Sequence, residues 1–128
     1  MVSIQKYVYI DGDNIGLKIE SSFLENDEDS LITINNQVKL IVKEITDSLI
    51  ELGQEIIFSG ADGIICKGNK ISNLHLLKTI RSISRNITFS IGSGNSLSDC
   101  YIALRYAKSK GKNIAVDYSD SKYLIEEN

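Results

Sequence analysis

The chain has no proline, one histidine and only two cysteines in 128 residues. Without proline there is no proline-rich spacer, and neither a low-complexity stretch nor an internal repeat divides the sequence. No apolar run approaches the roughly 20 residues that a membrane-spanning helix needs. Met1-Val2-Ser3-Ile4-Gln5-Lys6 lacks the layout of a signal peptide, so a cytoplasmic protein without membrane insertion is expected. Cys66 and Cys100 lie far apart and match no metal or redox spacing, which predicts two buried, reduced thiols. A basic excess is also missing. The net charge is −3, so long-range attraction to duplex nucleic acid is not expected. A small phosphate ligand stays compatible, because bound metal and a few local lysines neutralise it.

What is present fits a single domain over residues 1–128. Hydrophobic residues at 42% and charged residues at 24% are ordinary for a globular chain long enough to close one core.

Residues 4–11 are apolar and β-prone and stop at Gly12, which predicts a buried strand. Asn14 to about Phe23 predicts a short helix with Ile15, Ile19 and Phe23 on one side. The patch Glu25-Asn26-Asp27-Glu28-Asp29-Ser30 reads as a surface loop between helices. Over 33–52, Ile34, Val38, Ile41, Val42, Ile45, Leu49 and Leu52 recur at helical steps until Gly53, the clearest helix in the chain.

Residues 54–59 and 63–67 predict strands around Gly60-Ala61-Asp62-Gly63, a hairpin with small residues at its tip. A helix over 71–84 is expected to bury Ile71, Leu74, Leu77, Ile80 and Ile83. A strand over 87–91 runs into Gly92-Ser93-Gly94, a segment able to line a nucleotide. A helix over about 96–110 opens with the capping box Ser96-Leu97-Ser98-Asp99, and a last strand spans Asn113 to Tyr118.

The order β-α-α-β-β-α-β-α-β contains the split βαβ arrangement, so the expected class is α+β and ferredoxin-like, with a largely antiparallel sheet flanked by helices. In that layout the first strand lies antiparallel to the second hairpin strand. Its C-terminal end then meets the hairpin tip and sets Asp11 beside Asp62.

Three constellations carry chemistry. Asp11-Gly12-Asp13-Asn14 ends a strand, and a half-buried carboxylate there needs a partner. Asp11, Asp13 and Asp62 together make an oxygen-only set suited to Mg²⁺ or Mn²⁺, of which two acids suffice. Gly12 admits a close phosphate approach. Taken singly, Asp13 or Asn14 caps the first helix and Asp11 or Asp62 makes a turn. Lys108 and Lys112, in Ala107-Lys108-Ser109-Lys110-Gly111-Lys112-Asn113, reach one triphosphate or merely favour a helix end. His75 and Tyr7, Tyr9, Tyr101 and Tyr106 fit surface or packing roles better than catalytic ones.

In order and on these elements, the three constellations resemble those of palm-type nucleotidyl cyclases. These include GGDEF diguanylate cyclases, the polymerase subunit of type III CRISPR complexes and, most of all, the minimal CRISPR polymerase, mCpol. The resemblance covers nearly the whole chain. Asp11-Gly12-Asp13-Asn14 is similar to the family's metal-binding Asp-x-Asp motif. Gly60-Ala61-Asp62-Gly63 is similar to its Gly-Gly-acid-acid hairpin, with Ala61 for the second glycine and Gly63 for the second acid. The segment 107–113 resembles the phosphate-holding Ala-Lys-x-x-Gly-Arg-Asn, with Lys112 for the arginine.

The resemblance implies a palm in which Asp11 and Asp62 are catalytic and Asp11, Asp13 and Asp62 hold metal. Gly12, Asn14, Lys108 and Lys112 would bind a nucleoside triphosphate, ATP by analogy. It further implies a homodimer with paired sites and a cyclic di- or oligonucleotide product, read by a separate effector protein in antiphage defence. Loss of the second hairpin acid leaves a second possibility, a degenerate palm that binds without turnover. NYN/PIN-like nucleases also open with a strand ending in Asp-Gly-x-Asn and would recruit further acids such as Asp99. The tight hairpin and the lysine-rich helix end weigh against that fold. The Asp-x-Asp of haloacid-dehalogenase-type phosphatases lacks its later lysine and acid pair here.

Overall fold

The computed structural model describes residues 5–128. Met1 to Ile4, including the first residue of the expected strand, lie outside the described residues. Gln5–Gly12 forms β1, with Lys6, Val8 and Ile10 buried while Tyr7, Tyr9 and Asp11 alternate onto the other face. Two helices follow, α1 (Ile15–Leu24) and α2 (Glu28–Glu51), and pack together. Then come the hairpin strands β2 (Glu55–Gly60) and β3 (Gly63–Asn69), α3 (Asn73–Ile83), β4 (Phe89–Gly94), α4 (Leu97–Ser109), β5 (Ala115–Ser119) and β6 (Lys122–Glu126).

The sheet runs β2-β3-β1-β4-β5-β6. All neighbours are antiparallel except β4 and β5, which α4 bridges as a parallel crossover. This is the expected α+β palm, with β1 at its centre. On one face Val8, Ile10, Ile64, Phe89, Ile91 and Ala115 form the main core with α1, α2 and α3. On the other, Ala103 and Ala107 of α4 pack against Ile114 and Val116. The α4 backbone presses onto β4, and a Cβ on Gly92 would stand 2.3 Å from the Leu104 nitrogen.

Four local expectations are corrected. Helix α2 starts at Glu28 instead of residue 33, because Asp27 caps it by accepting from the Ser30 N–H, and Glu28 and Asp29 suit a positive helix start. Gly92, Ser93 and Gly94 belong to β4 and are buried, so they line no nucleotide. On α3, Leu76, Leu77 and Ile80 fill the core while Leu74 stays half-buried, since the helix begins only at Asn73 under its Ser72 cap. The sixth strand went unanticipated. It returns through Asp120 and Ser121, both at positive φ, the geometry of a two-residue hairpin turn.

Candidate active site

The register of β1 on β3 sets Asp11 opposite Gly63, and the Gly12 N–H donates to the Asp62 carbonyl at 3.0 Å. The two acids expected to be neighbours are therefore neighbours, but they face different ways. A Cβ on Gly63 would stand 3.3 Å from Asp11 Oδ1, whereas a Cβ on Gly12 would stand 3.3 Å from Asp62 Oδ2. Cross-strand partners share a face, so the two carboxylates flank the Gly12–Gly63 crossing from opposite sides. Asp11 looks toward α4 and Asp62 toward α1.

From α4, Lys108 extends its Nζ to Asp13 Oδ1 at 2.7 Å, the Gly12 carbonyl at 2.9 Å and Asp11 Oδ2 at 3.2 Å. Asp13 is 3% exposed and its carboxylate is fully engaged. Oδ1 also accepts from Ser90 Oγ at 2.7 Å, and Oδ2 from Thr88 Oγ1 at 2.7 Å and the Asn113 N–H at 3.0 Å. Burial opposes the Asp13 charge, yet the bonds from Lys108, Ser90 and Thr88 outweigh it and hold the carboxyl below the usual carboxylate range. At Asp11 burial wins and pushes the carboxyl up, with Lys108 pulling it back and Asp62 raising it further.

The segment after α4 is strained. Gly111, Lys112 and Asn113 have φ of 111°, 66° and 52°, a left-handed run that disfavours side chains at two of its positions. It delivers the Asn113 N–H to Asp13 and the Lys112 ammonium to Asn14 Oδ1. Arg81 of α3 secures the turn with Nε to Asn113 Oδ1 and Nη2 to the Asn113 carbonyl. Asn14 is the N-cap position of α1, at φ 62°, but makes no side-chain cap bond.

On the Asp62 side a cleft of about 450 Å³ opens between α1 and α2, lined by Ile15, Ile19, Phe23, Ile34, Val38 and Asn35. Sequence periodicity places Ile19 and Phe23 on a packed side of α1, yet Phe23 is 67% exposed at the cleft. An apolar cleft ending at a carboxylate suits a flat ring joined to a charged group.

A family model for the minimal CRISPR polymerase domain, mCpol, matches residues 7–118. The chain belongs to the mCpol family. Asp11 to Asn14, the cleft, the hairpin, Arg81 and Lys108 to Asn113 all fall within that span. No curated protein matches the chain. The active GGEEF domain of a diguanylate cyclase from Vibrio cholerae is similar at TM-score 0.65 and 20% identity, over 89% of this chain and 82% of that one. The GGDEF domain of DgcB from Caulobacter crescentus, in complex with c-di-GMP, is similar at 0.63 and 12%, over 88% and 74%. The Csm1–Csm4 cassette in complex with cA4 gives 0.68 and 16%, covering 96% of this chain but 23% of that one. At these identities the likeness is one of fold. Family and fold together support a nucleotidyl cyclase or polymerase type of function.

An mCpol palm implies a divalent cation. Among the described residues no three His, Cys, Asp or Glu side chains gather into a metal-holding group. The three-acid cluster expected from sequence is not assembled, because Asp13 spends its oxygens on four donors. Asp11 and Asp62 remain. They supply hard oxygen donors, and burial pushes the Asp11 carboxyl up even with Lys108 beside it. Two carboxylates completed by water and phosphate would suffice for Mg²⁺ or Mn²⁺, but Asp62 faces away from Asp11 and would have to turn toward it to share one ion. The cysteines and the histidine take no part in this cluster. Cys66 and Cys100 are free and buried, their thiols pushed up to about 12 and about 11 by desolvation. His75 is exposed on α3, and the Asp99 N–H donates to Ser96 Oγ as the capping box predicts. Among the described residues no helix is long and apolar enough to cross a membrane.

Proposed function

We propose that this mCpol palm condenses nucleoside triphosphates, ATP by family analogy, into a cyclic di- or oligonucleotide. One observation carries the reading. Asp62 lies both at the mouth of the apolar cleft and against Gly12, one residue from Asp11. A nucleotide with its base in the cleft then has its phosphates at the Asp11–Asn14 loop.

In this reading the cleft holds the base through Phe23 and its aliphatic neighbours, with Asn35 as the polar contact. Gly12 lets a phosphate come close to the backbone. Lys112, partly exposed and bonded only to Asn14 in the described contacts, swings onto the phosphates as a point charge. Lys108 stays with the acids and supplies positive potential from below. A ribose hydroxyl attacks the α-phosphorus, a new P–O bond forms, the bond to pyrophosphate breaks and the hydroxyl proton leaves. Divalent metal held by Asp11, with Asp62 turned toward it, would acidify that hydroxyl and neutralise the leaving charge. The chain's own contribution is placement and preorganised charge.

One palm has little room for two substrates, so two nucleotides are brought together by a homodimer with paired sites. The product is read by a separate effector in antiphage defence, a role inherited from the family. A binding-only palm is the competing reading, favoured by Gly63 in place of an acid. The deciding experiment incubates the protein with each nucleoside triphosphate and Mg²⁺ or Mn²⁺ and identifies products by mass spectrometry. A cyclic nucleotide that disappears in Asp62→Ala is the expected result. Nucleotide binding without any product, from every triphosphate, would leave the binding-only palm.

A further inference from the structure

The sheet is covered unevenly. Helices α1, α2 and α3 pack against one face, while on the other α4 rests on β4 and β5 and reaches as far as β1. No helix of the described residues covers β3 and β2 from that side. The register sorts the side chains of this open face into rows. Tyr9, Ile65 and Phe58 make one row, and Tyr7, Lys67 and Glu55 make the next. A bulge between Ile56 and Phe58 leaves Ile56 packed on the core and sets Phe58 on the open side. Phe58 is 55% exposed, and Tyr7, Tyr9 and Ile65 are only partly covered.

Two glycines keep this surface low. A Cβ on Gly63 would stand 3.5 Å from Tyr9 Cε1, and one on Gly60 would stand 3.3 Å from Phe58 Cζ. Both rings therefore lean over bare backbone and present ring surface to solvent. The border of the face is aromatic and basic. Burial first, then Asp11, Asp62 and Tyr101, push the Tyr9 hydroxyl up, so Tyr101 of α4 stands close by. Arg105, one turn further along α4, is exposed. On the face itself Lys67 is partly exposed, 3.5 Å from the open Glu55 carboxylate.

Aromatic rings on an open sheet face stack about two or three unpaired bases. The phosphates of such a short strand need local cations, which Arg105 and Lys67 supply. A second protein copy fits this face less well, because the core of a protein interface is depleted in charge and Lys67 and Glu55 sit on the face itself. Glu55 also favours RNA over DNA, since a ribose 2′-hydroxyl gives the carboxylate a donor. We propose that the open face of β1, β3 and β2 binds single-stranded RNA. Tyr7, Tyr9 and Phe58 stack successive bases, Arg105 and Lys67 meet the phosphates, and Glu55 accepts from a 2′-hydroxyl. This platform lies on the opposite side of the sheet from the α1–α2 cleft and is independent of what that cleft holds.

Fluorescence anisotropy of a labelled single-stranded oligoadenylate RNA, titrated with the full chain without nucleotide or metal, tests this. The parent is expected to bind, and Phe58→Ser to raise the Kd about tenfold. Its Tm should stay nearly unchanged, because the ring is exposed. Arg105→Gln is expected to weaken binding and to flatten its dependence on salt. DNA of the same sequence should bind more weakly. Equal RNA affinity in the parent and both variants would put the strand elsewhere and overturn the proposal, as would a parent that binds no RNA. Equal affinity for RNA and DNA would overturn the choice of RNA. Sedimentation of the same proteins reads the rival occupant. A parent dimer that Phe58→Ser dissociates, with RNA bound by neither, would give the face to a second copy.

Discussion

Arg81 holds Asn113 by two bonds, Nε to Oδ1 at 3.2 Å and Nη2 to the carbonyl at 2.8 Å, and the same Nη2 reaches the Glu127 carbonyl at 2.8 Å. This fork explains how three successive left-handed residues are kept in place beside Asp13. Its own backbone supplies the bond from the Lys112 N–H to the Ala107 carbonyl at 3.1 Å, and beyond that its position depends on what grips it.

Arg81→Lys therefore loses more than it retains, because an ammonium cannot reproduce a planar fork. Lost charge-assisted hydrogen bonds cost about 1.5–3 kcal/mol. A fall in Tm of roughly 5–10 °C is expected for a domain of this size. Thermal unfolding followed by circular dichroism checks it, and an unchanged Tm would mean that the turn holds itself.

Phe23→Ser separates binding from folding. The ring is 67% exposed, so its loss should leave Tm nearly unchanged. If the cleft takes a nucleobase, stacking of about 1–3 kcal/mol is lost and the Kd for nucleotide rises about tenfold or more. Calorimetric titration with ATP and GTP reads this directly. Binding equal to the parent's would move the base out of the cleft.

At Gly92 the constraint is steric. A methyl group there meets the Leu104 nitrogen at 2.3 Å and the Cys100 carbonyl at 2.5 Å, both backbone atoms that cannot turn away. Gly92→Ala must push α4 off β4, at a cost of at least about 1–3 kcal/mol. The shift also carries Lys108 away from Asp13. Lower Tm together with altered Lys108 and Asn113 resonances is the expected outcome.

Acid sensitivity has a second source away from the site. Asp117 is buried against its charge, but bonds from Ser93 at 2.7 Å, Ser119 at 2.8 Å and Lys6 at 3.1 Å hold its carboxyl below the usual range. A carboxyl depressed in the folded state stabilises fully above its unfolded value of about 3.9. That contribution shrinks as pH falls below this value toward the folded one. Asp117→Asn should lower Tm at neutral pH and flatten the decline of Tm between about pH 4 and pH 2. A decline as steep as the parent's would assign the acid transition to other groups.

Much of the scaffold was legible because its signals are local. The apolar periodicity of α2, the small-residue hairpin tip and the Ser96 capping box each depend on residues a few positions apart, and each element is present, with only the start of α2 displaced. The start of α2 is hard to read because the acids of residues 27–29 fit loop polarity as well as they fit a helix cap. The last strand was missed because its turn uses Asp120 and Ser121, without the glycine that marks most such hairpins. At the site, the crossing of Asp11 with the hairpin followed from topology. The facing of the two carboxylates did not, since it turns on a one-residue offset in register that flips a side chain across the sheet.

The sequence by itself determined the family, the order of elements as far as β5, and the acids and lysines that meet at the end of β1. Only the tertiary structure decided what each acid does there. Asp13 sits two residues from Asp11, and nothing local distinguishes them. Its partners Thr88, Ser90, Lys108 and Asn113 arrive from 75 to 100 residues away and fill both of its oxygens, while Asp11 keeps one side open. A buried carboxylate is defined by the donors around it, and donors brought in by chain folding leave no mark on the spacing of the residues they surround.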